Sequence, residues 1–127
     1  IKLINHLHNN FLVNFDYEQF NRLFFNLIKN SIESIQEKAE KDNKIDKNID
    51  IEIRERRDYI IINILDTGIG FKDKKTKDLI KPYFTTKQKG TGLGLSIVDK
   101  IISDHNGSIN FLNQNNGAKI QIIIPNK

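Results

Sequence analysis

Apolar positions recur along the chain with two different periods. In the first third, Phe20, Leu23, Phe24, Leu27, Ile28, Ser31 and Ile35 return at helical spacing, which predicts a helix burying that face. Asp16 followed by Gln19 resembles a capping box, so the helix is predicted to start there and to fray into the charged, aperiodic stretch EKAEKDNKIDKN (37–48). Before it, FLVNF (11–15) alternates weakly and reads as a short strand. After it the period changes. IDIEIRE (Ile49–Glu55) sets Ile49, Ile51 and Ile53 against Asp50, Glu52 and Arg54, as a half-exposed strand does. YIIINILD (Tyr59–Asp66) is apolar nearly throughout, as a central strand is, and the intervening RRD predicts a hairpin.

A polar, Lys-rich segment of some twenty residues follows DTGIGF and includes LIKPYFTTK. A connection that long inside a compact domain is usually functional, such as a lid, or mobile. Leu95, Val98, Ile101 and Ile102 then predict a second amphipathic helix, stopped by Asn106-Gly107. SINFLNQ and AKIQIIIP close the chain as a hairpin around Asn116-Gly117. The order strand, helix, hairpin, lid, helix, hairpin predicts a two-layer α/β sandwich: a mixed, mostly antiparallel sheet covered on one face by helices.

Composition narrows the function classes. The 127 residues form one domain, with 38% apolar and 28% charged residues in the range of a globular protein. The net charge of +4 is spread over predicted loops (Lys38, Lys41, Lys44, Lys47; Lys72, Lys74, Lys75, Lys77) rather than in a stripe interleaved with aromatics, which argues against nucleic acid as a partner. The chain has no Cys, which excludes disulfides and thiolate metal sites. No apolar run approaches the ~18 residues of a membrane span. There is no Met and the chain begins at Ile1, so a piece of a larger protein is expected.

Three constellations carry candidate chemistry. Asn26 and Asn30 in FFNLIKNSIES lie about 40° apart on the predicted helix, at the margin of its buried face. Asn is a mediocre helix former, so the pair is either chance in an Asn-rich chain or a set of neutral amide oxygens for a hard cation such as Mg²⁺. Asp66 ends the central strand, with Gly68 and Gly70 after it. DTGIG alone reads as a turn, or as a carboxylate placed to accept an exocyclic amine where glycines let a ligand approach. Gly90-Thr91-Gly92-Leu93-Gly94, with Lys87 and Lys89 on its approach, precedes a helix, so backbone N–H groups and the helix start can face an anion; the bland alternative is a hinge. The spacing matches neither GxGxxG nor a Walker loop.

The order of these motifs resembles the catalytic, ATP-binding domain of bacterial sensor histidine kinases, in the GHKL superfamily with its Bergerat fold. NLIKNSIESI is similar to the N-box, DTGIGF to the first glycine box, PYFTTK to the F-box and GTGLGLSIV to the second glycine box. The combination is most like nitrogen-regulation kinases of the NtrB and NtrY types, although Lys81 replaces the usual acid before Pro82 and Ser31 the usual Ala after Asn30. The resemblance implies ATP and Mg²⁺ as ligands. It makes Asn30 the metal ligand and Asp66 the partner of the adenine amino group, with Gly68 and Gly70 shaping that pocket. Phe84 would anchor a lid over residues 71–91, Gly90, Gly92 and Gly94 would present N–H groups to the phosphates, and Lys87 would reach the γ-phosphate. Thr86, Thr91, Leu93 and Leu95 complete the boxes around the nucleotide.

In the superfamily's hydrolases, the resemblance says, a Glu one turn before the metal-binding Asn activates water. Here that position is Asn26, which cannot take a proton. A neutral imidazole is already nucleophilic and needs little base help, so the substitution favours transfer to His over hydrolysis. Glu33 is either an assisting carboxylate or a solvated helix residue. His6 and His8 lack the acid and Pro of the family's phosphoacceptor motif, and His105 reads as a helix-end residue facing the dipole. The expected function is therefore phosphorylation of a His on a separate dimerisation domain, in a homodimeric two-component kinase that serves a response regulator. The domain would lie in the cytoplasm, the whole protein being either soluble or membrane-anchored. The alternatives are a nucleotide-binding regulatory module without transfer, and a GHKL ATPase.

Overall fold

The computed structural model describes residues 2–5, 16–42, 44–71, 94–114 and 117–125. They form β1 (Lys2–Asn5), α1 (Tyr17–Lys41), β2 (Ile49–Glu55), β3 (Tyr59–Asp66), α2 (Gly94–Asp104), β4 (Ser108–Gln114) and β5 (Gly117–Pro125). The sheet order is β1-β2-β3-β5-β4, with β1 parallel to β2 and every other neighbouring pair antiparallel. The mixed, mostly antiparallel sheet and its helical layer are the expected fold class. The strand expected over 11–15 falls outside the described residues. The first strand lies earlier, where KLIN offers only two apolar positions and no usable alternation.

Asp16 is the N-cap of α1, its Oδ1 accepting the Gln19 N–H at 3.0 Å, as the capping pattern predicts. The helix does not fray at residue 37 but runs to Lys41, where the Asp42 N–H still bonds the Lys38 carbonyl at 3.0 Å. Ala39 and the half-buried Glu37 and Lys38 are good helix formers, and Lys38 and Lys41 sit favourably against the negative end of the helix dipole. The second helix ends as anticipated at 106–107. Asn106 adopts the left-handed conformation (φ 61°), and the Gly107 N–H returns to the Ile102 carbonyl at 2.9 Å. Gly107 is required for a different reason: a Cβ there would stand 2.6 Å from the Ile123 carbonyl oxygen of β5.

The core is one cluster in which Leu23, Leu27 and Ile35 of α1 and Val98, Ile101 and Ile102 of α2 pack on Ile60, Ile62 and Ile64 of β3 and Ile120, Ile122 and Ile124 of β5. Each such side chain, fully buried, contributes about 1.5–3 kcal/mol. Alternation sends Glu52, Asn63, Gln121 and Asn110 to the opposite face as one polar row across four strands. Asn63 is thus the break in an otherwise apolar central strand. His105 joins the two helices, its Nε2 accepting the Asp16 N–H at 3.2 Å while Nδ1 faces the Ile101 carbonyl at 2.7 Å. Both ring nitrogens are engaged, which fits the neutral tautomer with the proton on Nδ1. The residue thus faces the carbonyl end of α2, as expected of a helix-end residue, and also bridges to the start of α1.

Candidate active site

Helix α1 carries one row of polar side chains at i, i+4 and i+8: Asn26, Asn30 and Ser34. Successive members stand about 6 Å apart along the axis. At the first two, α2 begins. A methyl group placed on Gly94 would stand 3.4 Å from Asn26 Oδ1 and 4.0 Å from Asn30 Nδ2, so the start of α2 abuts both amides. The Asn26 Nδ2 donates to the Arg22 carbonyl at 2.9 Å, leaving its Oδ1 as the atom turned toward Gly94. The first turn of α2 has no acidic side chain, so nothing of its own offsets the positive end of its dipole.

At the third member the row meets the turn after β3. The Ser34 Oγ accepts the Ile69 N–H at 2.9 Å. A Cβ on Gly68 would collide with the Ser34 side chain and lie 2.8 Å from its carbonyl carbon, so only glycine lets the turn approach α1 this closely. Asp66, 8% exposed, closes the turn by accepting the Gly68 N–H on Oδ1 at 2.8 Å. Gly70 takes φ 74°, a left-handed conformation that suits glycine. The two ends of the candidate site, predicted from segments far apart in sequence, are thus set against one helix.

Of the remaining candidates, Glu33 is half-buried on α1, but it is not within 4 Å of the Gly94 methyl position that touches both asparagines. The Leu95 side chain packs against the core. Phe84, Thr86, Lys87, Gly90, Thr91, Gly92 and Leu93 lie outside the described residues, as does most of the segment 71–91. Sequence reasoning missed four residues that shape the site. Ser34 was visible in principle, being one helical repeat beyond Asn30. Thr67 donates its hydroxyl to the Asp46 carbonyl at 2.6 Å and accepts the Asn48 N–H at 3.0 Å, tying the turn to the loop before β2. Gly117 allows β5 to begin against the Asp66 backbone, where a Cβ would collide with the Asp66 carbonyl oxygen. Asn113 of β4 accepts the Phe71 N–H at 2.8 Å; in a chain this rich in Asn, nothing marks it in advance.

The arrangement sets the Asn26 amide oxygen and the Asn30 amide nitrogen beside a helix start, and a buried carboxylate beside glycine backbone. Among the described residues there is no group of three or more His, Cys, Asp or Glu that could hold a metal ion. The amide donors fit Mg²⁺ in the mode in which the ion takes few protein ligands and the rest from water and phosphates.

The family of histidine kinase-, DNA gyrase B- and HSP90-like ATPases matches residues 15–127. The chain belongs to this family. Sporulation kinase C of Bacillus subtilis is 31% identical over 117 residues, which cover 91% of this chain and 26% of that protein. Nitrogen regulation protein NtrY of Azorhizobium caulinodans is 34% identical over 112 residues, 87% of this chain and 14% of that protein. This ATPase-family domain therefore spans about a quarter or less of those two relatives. Among solved structures, the catalytic domain of histidine kinase ThkA matches with a TM-score of 0.79 at 30% identity, covering 98% of this chain and 80% of that one. ThkA has also been solved in complex with the response regulator protein TrrA. The mycobacterial sensor histidine kinase MprB, with a TM-score of 0.80 at 18% identity over 99% of this chain and 80% of that one, shares the fold. Among the described residues, no helix is long and apolar enough to cross a membrane.

Proposed function

We propose that this domain binds ATP with Mg²⁺ and delivers the γ-phosphate to a histidine on a separate dimerisation domain of a two-component kinase. The observation that carries the proposal is the α1 row, which holds the start of α2 at Asn26 and Asn30 and the Asp66 turn at Ser34. In this reading the purine amine donates to the Asp66 carboxylate, and the phosphates face the N–H groups of the α2 start. Asn30 would hold the metal beside Asn26, and the ion would supply positive charge against the phosphates. Residues 71–91, with Phe84, Thr86 and Lys87, complete the nucleotide site as its lid, joined by Gly90, Thr91, Gly92 and Leu93.

Transfer is favoured over hydrolysis because the row contains no general base. Asn26 cannot accept a proton and its Nδ2 is engaged by the Arg22 carbonyl, so water near the γ-phosphate finds no carboxylate there. An incoming imidazole nitrogen uses its own lone pair: the N–P bond forms as the bond from phosphorus to the ADP oxygen breaks. A response regulator then takes the phosphoryl group, a partner class consistent with the ThkA complex. In this reading the domain works on the cytoplasmic side, where ATP is available, as part of a homodimeric protein.

Titration with labelled ATP, with and without Mg²⁺, tests the reading. Saturable, Mg²⁺-dependent binding that Asp66→Asn abolishes is expected; binding indifferent to that substitution would sink the assignment. Adding a phosphoacceptor helix domain and following label onto His then separates a kinase from a regulatory module, and steady phosphate release by the domain alone would identify an ATPase instead.

A further inference from the structure

The turn from Asp66 to Phe71 belongs to no helix or strand after its first residue, so its N–H groups need partners from elsewhere. Three of them are taken by side chains. Gly68 donates to Asp66 Oδ1 at 2.8 Å, Ile69 to Ser34 Oγ at 2.9 Å, and Phe71 to Asn113 Oδ1 at 2.8 Å. The last two acceptors come from opposite walls, one from α1 and one from β4. Between them stands Gly70 in its left-handed conformation, and a Cβ there would lie 2.7 Å from the same Asn113 oxygen. Beyond it the Phe71 ring meets Phe111 edge-on, at 5.3 Å and 73°, so β4 holds both the backbone and the side chain of residue 71.

We propose that Ser34 and Asn113 are positioning residues for base recognition: by anchoring Ile69 and Phe71 they hold the turn in the shape that aims the Asp66 carboxylate at a purine amine. The inference rests on the reading of Asp66 as the adenine partner. The Gly68 N–H that clamps the Asp66 Oδ1 is itself part of the turn, which Thr67 ties to the loop before β2 at its start and Ser34 and Asn113 hold further along. Freed at Ile69 and Phe71, the turn keeps its hold at Thr67 but can shift from Gly68 through Gly70, and with Gly68 goes the clamp on Oδ1. Asn113 lies exposed at the end of β4, so its loss removes little from the core while loosening the turn directly.

The test measures displacement of a fluorescent ATP analogue by ATP, GTP and tripolyphosphate, for wild type, Ser34→Ala, Asn113→Ala and Asn113→Asp, with the melting temperature of each. A hydrogen bond of this kind is expected to set ATP affinity by about 3- to 10-fold. Each alanine variant should therefore lose about that factor for ATP, lose the same factor in preference for ATP over GTP, and bind tripolyphosphate as wild type does. Asn113→Asp, which keeps an acceptor oxygen, should return ATP affinity to within about twofold of wild type. Alanine variants that keep the ATP preference, or that weaken ATP and tripolyphosphate equally, overturn the inference. If Ser34→Ala fails to fold, the two Asn113 variants decide alone. A wild type that does not distinguish ATP from GTP overturns instead the assignment of Asp66.

Discussion

Replacing Ser31 with alanine should stabilise the domain. The side chain is 1% exposed between Leu27 and Ile35 on the core face of α1, and among the described residues its Oγ has no hydrogen-bond partner. A buried hydroxyl without a partner costs about 1–3 kcal/mol. Alanine is also the better helix former by a few tenths of a kcal/mol, while the void left by one oxygen takes back about as much. The net gain is about 1–3 kcal/mol. With an unfolding entropy of about 2.1 cal/mol/K per residue over 127 residues, that corresponds to a rise of about 4–11 °C in Tm. Thermal melts followed by circular dichroism, repeated in urea, measure it, and ATP affinity should not change because the hydroxyl faces the core and not the row with Asn26 and Asn30. A Tm equal to or below that of the natural sequence would refute the reasoning, because the hydroxyl would then be satisfied, either by the Leu27 carbonyl one turn back or by a buried water.

Two glycines of the candidate site should part company on substitution. Gly94→Ala places its methyl at ordinary contact distance, 3.4 Å from Asn26 Oδ1, so the fold should hold with Tm within about 3 °C while ATP binding weakens at least severalfold, as calorimetric titration would show. Gly68→Ala instead meets Ser34 backbone at 2.8 Å and should lower the urea-derived stability by about 3 kcal/mol or more; a well-folded Gly68→Ala protein would contradict the packing described for the turn. Asp16→Ala removes the cap of α1 and should cost about 1 kcal/mol in the same assay. His105→Leu, which removes the acceptor for the Asp16 N–H, should cost a similar amount, and the double variant should cost less than the sum because both act on one helix start.

Much of this architecture was legible because the relevant signals are local. The 49–55 and 59–66 hairpin follows from alternation and a polar break, and the α1 start from Asp16 and Gln19, features that depend on a few neighbouring residues. The Asn26 and Asn30 pair was legible as a helix-margin oddity for the same reason. What was not legible depends on residues distant in sequence. Gly68 is fixed by Ser34, 34 positions earlier, Phe71 by Asn113, 42 positions later, and His105 by Asp16, 89 positions away. A lone Asn in an Asn-rich strand carries no mark of the backbone it will hold. The four-residue β1 escaped for a different reason: it is too short to display a period, and its place is set by parallel pairing with β2. The extension of α1 to Lys41 shows the limit of reading charge as disorder, since Glu, Lys and Ala sustain a helix without an apolar stripe.

The α1 row also sets where the chain can change length. Asn26, Asn30 and Ser34 share a face only because four residues separate them, and each added residue turns everything beyond it by about 100°. A single insertion between Asn26 and Ser34 would therefore swing one docking partner of the helix, the start of α2 or the Asp66 turn, to another side, even if every side chain were kept. Extra residues between Lys41 and Lys44, beyond the last member of the row and ahead of the Asp46 and Asn48 contacts to Thr67, alter only a connection whose lengthening adds a few tenths of a kcal/mol in closure entropy. The middle of α1 thus behaves as a fixed-length part and the beginning of the loop after the helix as an adjustable one.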